Sequence, residues 1–445
     1  MTTEPLSLLA DLIARARAAG ADAADAVLIS GTSLSAQRRL GKTEHVERSE
    51  GRDLGLRVFL GQKVAIVSSS TMDPSSFAEL AQRAVAMARV VPEDPYASLA
   101  DTAAPPEDAT ALDLVDPAEP TTEDLLARAA TAEDAAMAVP GITNSEGAEA
   151  GFSRTEAFIV TSAGFAGRLA RTGHSVSAAA VAGTGTGMQR DYDYHSTIHL
   201  ADLDDPVTIG RSAGEWAVKR LNPARPSTGK LPVLFDPRIS GGLLGHLMGA
   251  INGASVARGT SFLKDKLGQR IFPQGIVVHD DPRRVRGLRS RPFDAEGTPT
   301  AARALIEDGV LTTWLLDTRS ARQLGLRSTG HASRGTSGPP SPSPTNLCLA
   351  AGKLTPAELM ADIKLGLYAN ELIGMGVNGV TGDYSRGASG FMIRDGALAE
   401  PVAEITIAGN LIEMFAHLTP ANDLRFRRGT DAPTVRIDGM TMAGA

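Results

Sequence analysis

The chain of 445 residues contains a single cysteine, Cys348. An intramolecular disulfide is therefore impossible, and so is a metal site built from several thiolates. Aromatic residues make up only 4% of the sequence, so the core must consist mainly of Leu, Val, Ile and Ala. The formal net charge is −7 and no run of five basic residues occurs. We therefore expect no direct binding of nucleic acid, because phosphate contacts require clustered Lys and Arg.

Long apolar runs are also missing. No stretch of eighteen apolar residues occurs, which argues against a transmembrane helix, and the polar first residues do not resemble a signal peptide. We therefore expect a cytoplasmic protein without membrane association. Hydrophobic residues make up 42% and charged residues 21% of the chain, which is typical of soluble globular proteins. The length is sufficient for two or three domains.

Periodicity divides the first half of the chain into two similar units. Each unit is predicted to contain a helix, several strands and a second helix, so a structural duplication is expected. The first unit has helices at 5–19 and 74–91 and strands at 26–29, 33–39, 44–50, 53–60 and 63–68, with a hairpin turn at 61–62. The second has helices at 122–138 and 206–221 and strands at 152–162, 166–183 and 186–197. Between them, residues 92–120 are predicted to form a linker or surface loop.

A third region follows the Pro-rich segment 221–229. The pattern Ile-x-Asp-Gly-x-Leu occurs there twice, at 306–311 and 393–398, and predicts two hairpins. Further predictions are a loop at 333–344, a helix at 355–365 and a strand at 433–442. The fold class is therefore α+β, with an N-terminal α/β region and a largely antiparallel β C-terminal domain. The predicted domains are 1–105, 120–222 and 228–445.

Residues 236–251 have the context of a metalloprotease helix. An apolar strand at 231–235 precedes Asp236 and Pro237, which suit a helix cap and first turn. Apolar residues then recur at helical spacing. A zinc helix needs two histidines one turn apart and a glutamate as general base. Here His246 is the only polar residue among the glycines and aliphatic residues of 241–251, which favours a packing or interface histidine over a ligand.

Two further motifs have alternative interpretations. His195 and His199 are four residues apart and would share a face of a helix, as metal ligands do. However, Ser196 stands where a metalloprotease has its glutamate, and the preceding residues are typical of a strand, so structural or surface histidines are favoured. The Gly-rich segment 376–390 could hold a phosphate. Because no Gly-Lys-Ser/Thr ending or long helix follows, a tight strand–turn–strand is favoured.

The chain resembles the TldD/PmbA family, specifically its PmbA (TldE) branch. The most specific segment is Thr-Gly-Asp-Tyr-Ser-Arg-Gly-Ala, which begins at Thr381. The resemblance covers most of the chain and is carried by residues 53–59, 185–194, 257–262, 377–388 and 404–411. An older label for the same family is modulator of DNA gyrase. The resemblance implies that a TldD-type and a PmbA-type subunit pair into a zinc peptidase, which cleaves unfolded peptides such as peptide-antibiotic precursors and antitoxins.

The catalytic TldD branch carries Leu-Leu-His-Glu-x-x-Gly-His and a C-terminal zinc-binding cysteine. Aligned with this motif, the two histidine positions fall on Gly245 and Ala250, and the glutamate position falls on His246. The segment between Asp423 and Pro433 contains no cysteine, and Cys348 lies elsewhere. The resemblance therefore implies no catalytic residue, no metal ligand and no cofactor in this chain, with zinc expected in a TldD-type partner.

The leading hypothesis is thus a non-catalytic subunit of a TldD/TldE-type zinc metallopeptidase that forms part of the substrate chamber. Its partner would be a TldD-type subunit in a heterodimer or a second copy in a homodimer, and its ligand would be an unfolded peptide added to a sheet edge. Alternatives are a homodimeric peptide-binding scaffold without proteolytic activity and a self-sufficient hydrolase with an unrecognised site. Expected substrate or partner contacts are His246, Asn378, Asp383, Tyr384 and Arg386.

Overall fold

The described residues of the N-terminal half form one six-stranded antiparallel sheet with four α-helices. The computed structural model describes residues 4–102 and 109–444; part of the predicted linker, 103–108, lies outside the described residues. In chain order, the elements of this half are α1 (Pro5–Ala18), β1 (Ala23–Arg39), β2 (Lys42–Leu60), β3 (Lys63–Ser69), α2 (Phe77–Val90), α3 (Thr122–Met137), β4 (Ile142–Thr161), β5 (Ala166–Ala182), β6 (Gln189–Thr197) and α4 (Pro206–Lys219).

The order of elements repeats as the sequence predicted. A helix, three strands and a helix occur twice, and the sheet order is β3-β2-β1-β4-β5-β6. The first strands of the two units pair with each other, from Asp25 opposite Thr161 to Arg38 opposite Ala148. The two units therefore share one sheet. Strands of the predicted domains 1–105 and 120–222 therefore lie side by side in one sheet, which marks no boundary between them. The division of this half into two domains stays a prediction.

Several predicted strands were too short. Segments 26–29 and 33–39 belong to the single strand β1, segments 44–50 and 53–60 belong to β2, and β4 begins at Ile142 rather than at residue 152. The predicted break in the first pair falls near Gly31, which pairs with Gly51. Residues 42–53 of β2 are exposed on both faces. A strand exposed on both faces has no alternation of apolar and polar residues, so its pairing leaves no periodic signal in the sequence.

The helices cover one face of this sheet. Even-numbered side chains of β1 point toward them: Ala24, Ala26 and Leu28 pack with α1 and α2, while Leu34 and Ala36 pack with α3. On the opposite face, Val27 and Ile159 pack with Phe165 and with Phe293 from the C-terminal half. The sheet therefore forms a layer between its helices and part of the C-terminal half.

The C-terminal half is richer in strands. Its elements are β7 (Gly229–Phe235), α5 (Pro237–Ala250), α6 (Gly253–Ala257), β8 (Val278–Asp280), β9 (Arg303–Glu307), β10 (Val310–Leu311), α7 (Thr318–Gln323), β11 (Ala332–Ser333), β12 (Ser341–Pro342), β13 (Leu347–Leu349), α8 (Pro356–Met360), β14 (Leu365–Val377), β15 (Asp383–Arg394), β16 (Ala397–Asn410), α9 (Leu411–Ala416), β17 (Leu418–Pro420), β18 (Thr430–Asp431) and β19 (Val435–Ala443).

The main sheet of this half closes on itself. Strands β16, β15, β14, β7 and β19 are neighbours in this order, and β19 also pairs with β16. All of these pairs are antiparallel except β7 with β14. A second sheet has the order β10-β9-β8-β13-β18. The predicted α+β class, with a largely antiparallel C-terminal half and α5 at the position of the zinc motif, is confirmed.

Both Asp-Gly hairpins are confirmed. Asp308 and Gly309 have φ of 49° and 78°, and Asp395 and Gly396 have φ of 46° and 82°. Such left-handed pairs form the tight two-residue turns that fit the twist of antiparallel strands. The predicted helix at 355–365 was too long, because the chain enters β14 at Leu365 and only Pro356–Met360 is helical. None of the helices in the described ranges has the length and apolar character needed to cross a membrane.

Candidate functional site

Helix α5 buries one face and exposes another that consists of glycine. Asp236 begins the helix as predicted, because its Oδ1 accepts a hydrogen bond from the Arg238 N–H at 2.8 Å. The buried face packs into the C-terminal core through Leu243, Leu244, Leu247 and Met248. On the outer side Gly242, Gly245 and Gly249 are exposed, and a Cβ at any of them would have no atom within 4 Å. The backbone of α5 is therefore open to close approach.

The positions that correspond to the zinc motif do not fit a zinc ion. Gly245 has no side chain, and Ala250 is 3% exposed with an apolar methyl group in the core. His246 is the only potential donor of the three. Among residues 4–102 and 109–444, no three His, Cys, Asp or Glu side chains form a group that could hold a metal ion. Zinc requires three or four protein donors, so no hydrolytic step is assigned to this helix.

His246 instead makes an aromatic contact. Its ring lies edge-on to the ring of Tyr384, with the centroids 5.8 Å apart and an interplanar angle of 80°. Burial lowers the pKa of His246, and the positive charge of Arg386 lowers it further. The imidazole is therefore held in its neutral form. The Tyr384 hydroxyl is buried and has no hydrogen-bond partner in the described part of the chain, and burial raises the pKa of this phenol.

The other predicted contact residues lie in the hairpin of β14 and β15. The Asn378 N–H donates to the Asp383 carbonyl at 2.9 Å, and the Gly382 N–H donates to the Asn378 carbonyl at 2.8 Å. These bonds confirm the predicted strand–turn–strand. Glycine is required at position 390 because a Cβ there would clash with the Tyr368 carbonyl oxygen. The fold thus places Asn378, Asp383, Tyr384 and Arg386 on the hairpin beside His246, while their functional roles stay a prediction.

Asn410 is a residue of this site that sequence reasoning missed. Its amide nitrogen donates to Asp383 Oδ1 at 3.2 Å and to the Thr381 carbonyl at 3.0 Å, while its Oδ1 caps α9 through the Ile412 N–H. Hydrogen bonds from Thr381 and Asn410 lower the pKa of Asp383. The sequence signal was an Asn directly before a short apolar helix, which is a common capping residue.

A second missed cluster holds the N-terminus of α5. The Asp191 carboxylate, 1% exposed, accepts from Arg238 Nη1 at 2.7 Å and from Arg220 Nη1 at 3.2 Å, and Arg220 also pairs with Glu371. Burial alone would lower the pKa of Arg238, but the hydrogen bond and charge of Asp191 outweigh it and raise the pKa. This cluster joins β6 of the N-terminal half to α5 and β14.

His195 and His199 do not converge on one point. His195 is a buried residue of β6, and its Nδ1 accepts a hydrogen bond from the Asp204 N–H at 3.1 Å. His199 follows the strand, and its Nε2 lies 3.0 Å from the Asp113 carbonyl oxygen. Both residues are 8% exposed. Each histidine therefore has its own hydrogen-bond partner, and the predicted strand geometry is confirmed.

The hairpin also exposes large apolar side chains. Ile373, Met375 and Val380 are 59%, 84% and 56% exposed. Together with the open glycine face of α5, they offer apolar and backbone contacts but no paired nucleophile and base. Clustered exposed apolar side chains commonly mark a binding surface. The arrangement is therefore suited to contact a peptide or another subunit.

Sequence and structure comparisons agree on the family. Three domain profiles described as PmbA/TldA metallopeptidase domain 1, central domain and C-terminal domain match residues 24–88, 115–221 and 228–444. The chain is 37% identical to the metalloprotease PmbA of Escherichia coli O157:H7 over 425 residues, which covers 95% of this chain and 92% of that protein.

Two crystal structures have the same fold. A proposed modulator of DNA gyrase from Bacteroides thetaiotaomicron has a TM-score of 0.88 and 26% identity, and the match covers 100% of both chains. TldE from Thermococcus kodakarensis has a TM-score of 0.86 and 20% identity, with 98% of this chain and 100% of that chain covered. At 20% identity the second comparison bears on the fold alone.

Proposed function

Because this chain belongs to the PmbA/TldD metallopeptidase family, we propose that it is the non-catalytic subunit of a two-subunit zinc peptidase. The observation that carries the proposal is the set of side chains on α5. Glycine, histidine and alanine occupy positions 245, 246 and 250, where the active branch has two zinc ligands and its general base. A metal-activated water needs both the metal and a base, so hydrolysis is assigned to a TldD-type partner in the cytoplasm.

In this proposal the chain forms one wall of the chamber that holds an unfolded peptide. The glycine face of α5 allows a peptide backbone to approach closely, since no Cβ projects from Gly242, Gly245 or Gly249. The exposed apolar side chains of the β14–β15 hairpin supply contacts that do not depend on one peptide sequence. Peptide-antibiotic precursors and antitoxins are the proposed substrates.

His246 and Tyr384 are proposed as the polar contacts of this wall. The imidazole is neutral and half-buried, so it can donate or accept one hydrogen bond without a charge. The Tyr384 hydroxyl is buried without a partner among the described residues, so in this proposal the side chains that cover it move when the peptide binds. Backbone groups of the peptide would supply a hydrogen bond to the imidazole and a partner for the phenol hydroxyl, since each peptide unit carries one donor and one acceptor.

The deciding experiment measures cleavage of an unstructured peptide by this chain, by a TldD-type partner and by their mixture. We expect no cleavage by this chain and efficient cleavage only by the mixture. Zinc analysis of each purified chain accompanies the assay, and zinc is expected in the partner. Full activity of this chain alone would support a self-sufficient hydrolase, and peptide binding without cleavage in any mixture would support a scaffold; either result would refute the proposal.

His246→Ala tests the role of the helix within the complex. We expect a several-fold higher KM for the peptide in the mixed complex, with only a small fall in thermal stability from the lost contact with Tyr384. The matched control is His45→Ala, because His45 lies on β2, is exposed and is far along the chain from α5. If His246→Ala left the kinetics of the mixture unchanged, His246 would be a packing residue only.

A further inference from the structure

A cavity of about 240 Å³ lies between the end of β6 and the C-terminal half of the chain. Residues 195–198 supply one side of it, and the loops 284–288 and 426–431 supply most of the rest. We call this space the Arg284 cavity. The charged residues that line it are Arg284, Arg286, Arg427, Arg428, Asp202 and Asp431. His246 and Tyr384 do not line it, so it is separate from the surface assigned to α5 and the β14–β15 hairpin.

Two arginines of the Arg284 cavity are neutralised by aspartates of the N-terminal half. Arg286 Nη1 lies 3.0 Å from Asp202 Oδ2, and Arg427 Nη2 lies 2.7 Å from Asp204 Oδ2. These pairs join the two loops to the segment that follows β6. Because each pair brings opposite unit charges together, neither of these arginines gives the cavity an uncompensated charge.

Arg284 and Arg428 lack such a partner. The Arg284 guanidinium lies over the ring of Phe426, 3.3 Å from its centroid, and Arg428 Nε donates to the Tyr194 hydroxyl at 2.7 Å. Neither arginine forms an ion pair with a carboxylate among residues 4–102 and 109–444. Asp431 is the remaining carboxylate of the wall, and three backbone N–H groups of its own loop already bond to its oxygens. The cavity therefore carries a net positive charge, with two arginines against one carboxylate.

The loop that carries Arg284 continues into further arginines, Arg289 and Arg291. Burial, together with the charges of Arg291 and Arg289, lowers the pKa of Arg171 to about 10. The Nε atoms of Arg171 and Arg291 are buried and have no hydrogen-bond partner in the described part of the chain. The field around this loop is thus positive enough to disfavour the charged form of an arginine, and an anion bound beside the loop would reduce the repulsion.

His195 offers the cavity a neutral donor. The residue is 8% exposed and lines the cavity, and its Nδ1 accepts a hydrogen bond from the Asp204 N–H at 3.1 Å. The proton of the neutral imidazole is therefore on Nε2, which has no acceptor within the described ranges. Burial and the charge of Arg427 lower the pKa of His195, so the ring stays neutral. A donor of this kind on a buried side chain calls for a partner.

We propose that the Arg284 cavity binds a carboxylate group of a peptide. Arg284 and Arg428 supply positive charge and N–H donors, and the Nε2–H group of His195 supplies a neutral donor. Leu288 and Phe426 add apolar surface, which suits a group attached to an amino-acid residue better than inorganic phosphate. The C-terminus of a peptide and the side chain of Asp or Glu both present this group. The choice of a peptide as its source rests on the proposed function.

The test is isothermal titration calorimetry of the full chain alone with three blocked dipeptides. Acetyl-Ala-Leu has a terminal carboxylate, acetyl-Ala-Glu amide has a side-chain carboxylate, and acetyl-Ala-Leu amide has neither. We expect binding of at least one of the first two and no binding of the third. The comparison of the first two assigns the carboxylate to the C-terminus or to an acidic side chain. Added salt should weaken the binding, because it screens the arginine charges.

Arg284→Gln should weaken the binding about tenfold, because it removes a charge-assisted hydrogen bond. Arg284→Lys should lose less affinity, since lysine keeps the charge but not the planar donor fork. The matched control is Arg394→Gln, which removes the same charge from the β15–β16 hairpin, where Arg394 pairs with Glu400. This control should bind like the unaltered chain. Thermal unfolding of each variant verifies that it is folded, and Arg284→Lys carries the test if Arg284→Gln is not.

Three results would overturn this inference: equal binding of acetyl-Ala-Leu and its amide, tighter binding of inorganic phosphate than of any of the peptides, or an unchanged affinity in folded variants at Arg284. The binding is measured without a partner subunit. A mixture that fails to cleave peptides would therefore refute the proposed function and leave the carboxylate site standing. Cleavage by the mixture, without carboxylate binding by this chain, would refute the site alone.

Discussion

The imidazole of His246 on α5 lies edge-on to the phenol of Tyr384 on β15, with ring centroids 5.8 Å apart. The two residues stand at the point where the helix that corresponds to a zinc helix meets the most specific segment of the family resemblance. At this position of the fold the imidazole makes an aromatic contact. It also leaves the Tyr384 hydroxyl buried without a partner in the described part of the chain.

Tyr384→Phe should therefore raise the stability of the isolated chain. Removing a buried hydroxyl that lacks a hydrogen bond removes its desolvation cost, and we expect a gain of about 1 kcal/mol in the free energy of unfolding. Urea unfolding measures this change. The matched control is Tyr368→Phe, because the Tyr368 hydroxyl donates to Asp236 Oδ2 at 2.7 Å, and its removal should destabilise the chain. Equal losses in both variants would contradict the assignment of a free hydroxyl.

The glycine face of α5 predicts a conflict between stability and function. Replacing Gly242, Gly245 and Gly249 by alanine should stabilise the chain by about 0.5–1 kcal/mol per site, because alanine favours the helix and each added Cβ meets open space. The same triple variant should weaken peptide cleavage in the mixed complex. The measurements are urea unfolding and KM for the peptide.

Gly241→Ala is the control for this series. A Cβ at Gly241 would lie 2.9 Å from the Thr430 carbonyl oxygen, so this variant should lose about 1–3 kcal/mol of stability. If the triple variant gained stability without any change in KM, the glycine face would have no part in peptide binding.

Asp191→Asn should be strongly destabilising. The change would leave Arg238 and Arg220 buried beside a neutral amide, and breaking a buried ion pair in this way costs about 3–5 kcal/mol. The expected result is a large fall in the urea midpoint. Asp193→Asn is a suitable comparison, because Asp193 lies on the same strand and its carboxylate accepts a bond from its neighbour's N–H. Similar small losses in both variants would show that Asp191 does not hold α5.

Stability should fall as the pH rises toward 7, because of Asp294. Burial, together with the charge of Glu296, raises the pKa of Asp294 to about 7. The native carboxyl binds its proton more tightly than the unfolded chain, in which an Asp has a pKa of about 3.9. Its stabilising contribution is therefore complete below about pH 3.9 and is lost as the pH rises through about 7.

Urea unfolding between pH 5 and pH 8 measures this dependence. Asp294→Asn should flatten the profile over this range, since the amide does not titrate. It keeps the bonds that Oδ1 accepts from Glu296 and Thr298 but loses the bond that Oδ2 accepts from the Ala332 N–H, which lowers the stability by the same amount at every pH. An identical pH dependence in both proteins would assign the effect to another group.

Much of the local structure was predictable. The helices at α1, α2, α3, α4 and α5 follow from the spacing of their apolar residues, and both Asp-Gly hairpins follow from a dipeptide that adopts left-handed φ. The long arm of β1 and β2 was divided wrongly, because residues 42–53 are exposed on both faces and carry no alternation. The helix predicted at 355–365 ended early, because its last residues join the C-terminal sheet as β14.

The candidate site was predictable in part. The hairpin residues and His246 were named from the sequence, but their contact was not, because it depends on how α5 packs across β15. Asp191 and Arg238 were not predicted at all. They are separated by 47 positions along the chain. No local sequence pattern indicates which of the many charged residues will form a buried ion pair.

The sequence by itself determined which chemical groups are available: one cysteine, and no zinc ligands at positions 245 and 250. It also determined helices and turns, since these depend on residues close together along the chain. Only the tertiary structure decided that His246 meets Tyr384 and that Asp191 holds the start of α5. These features depend on strand register and burial between distant segments, which near-neighbour patterns do not contain.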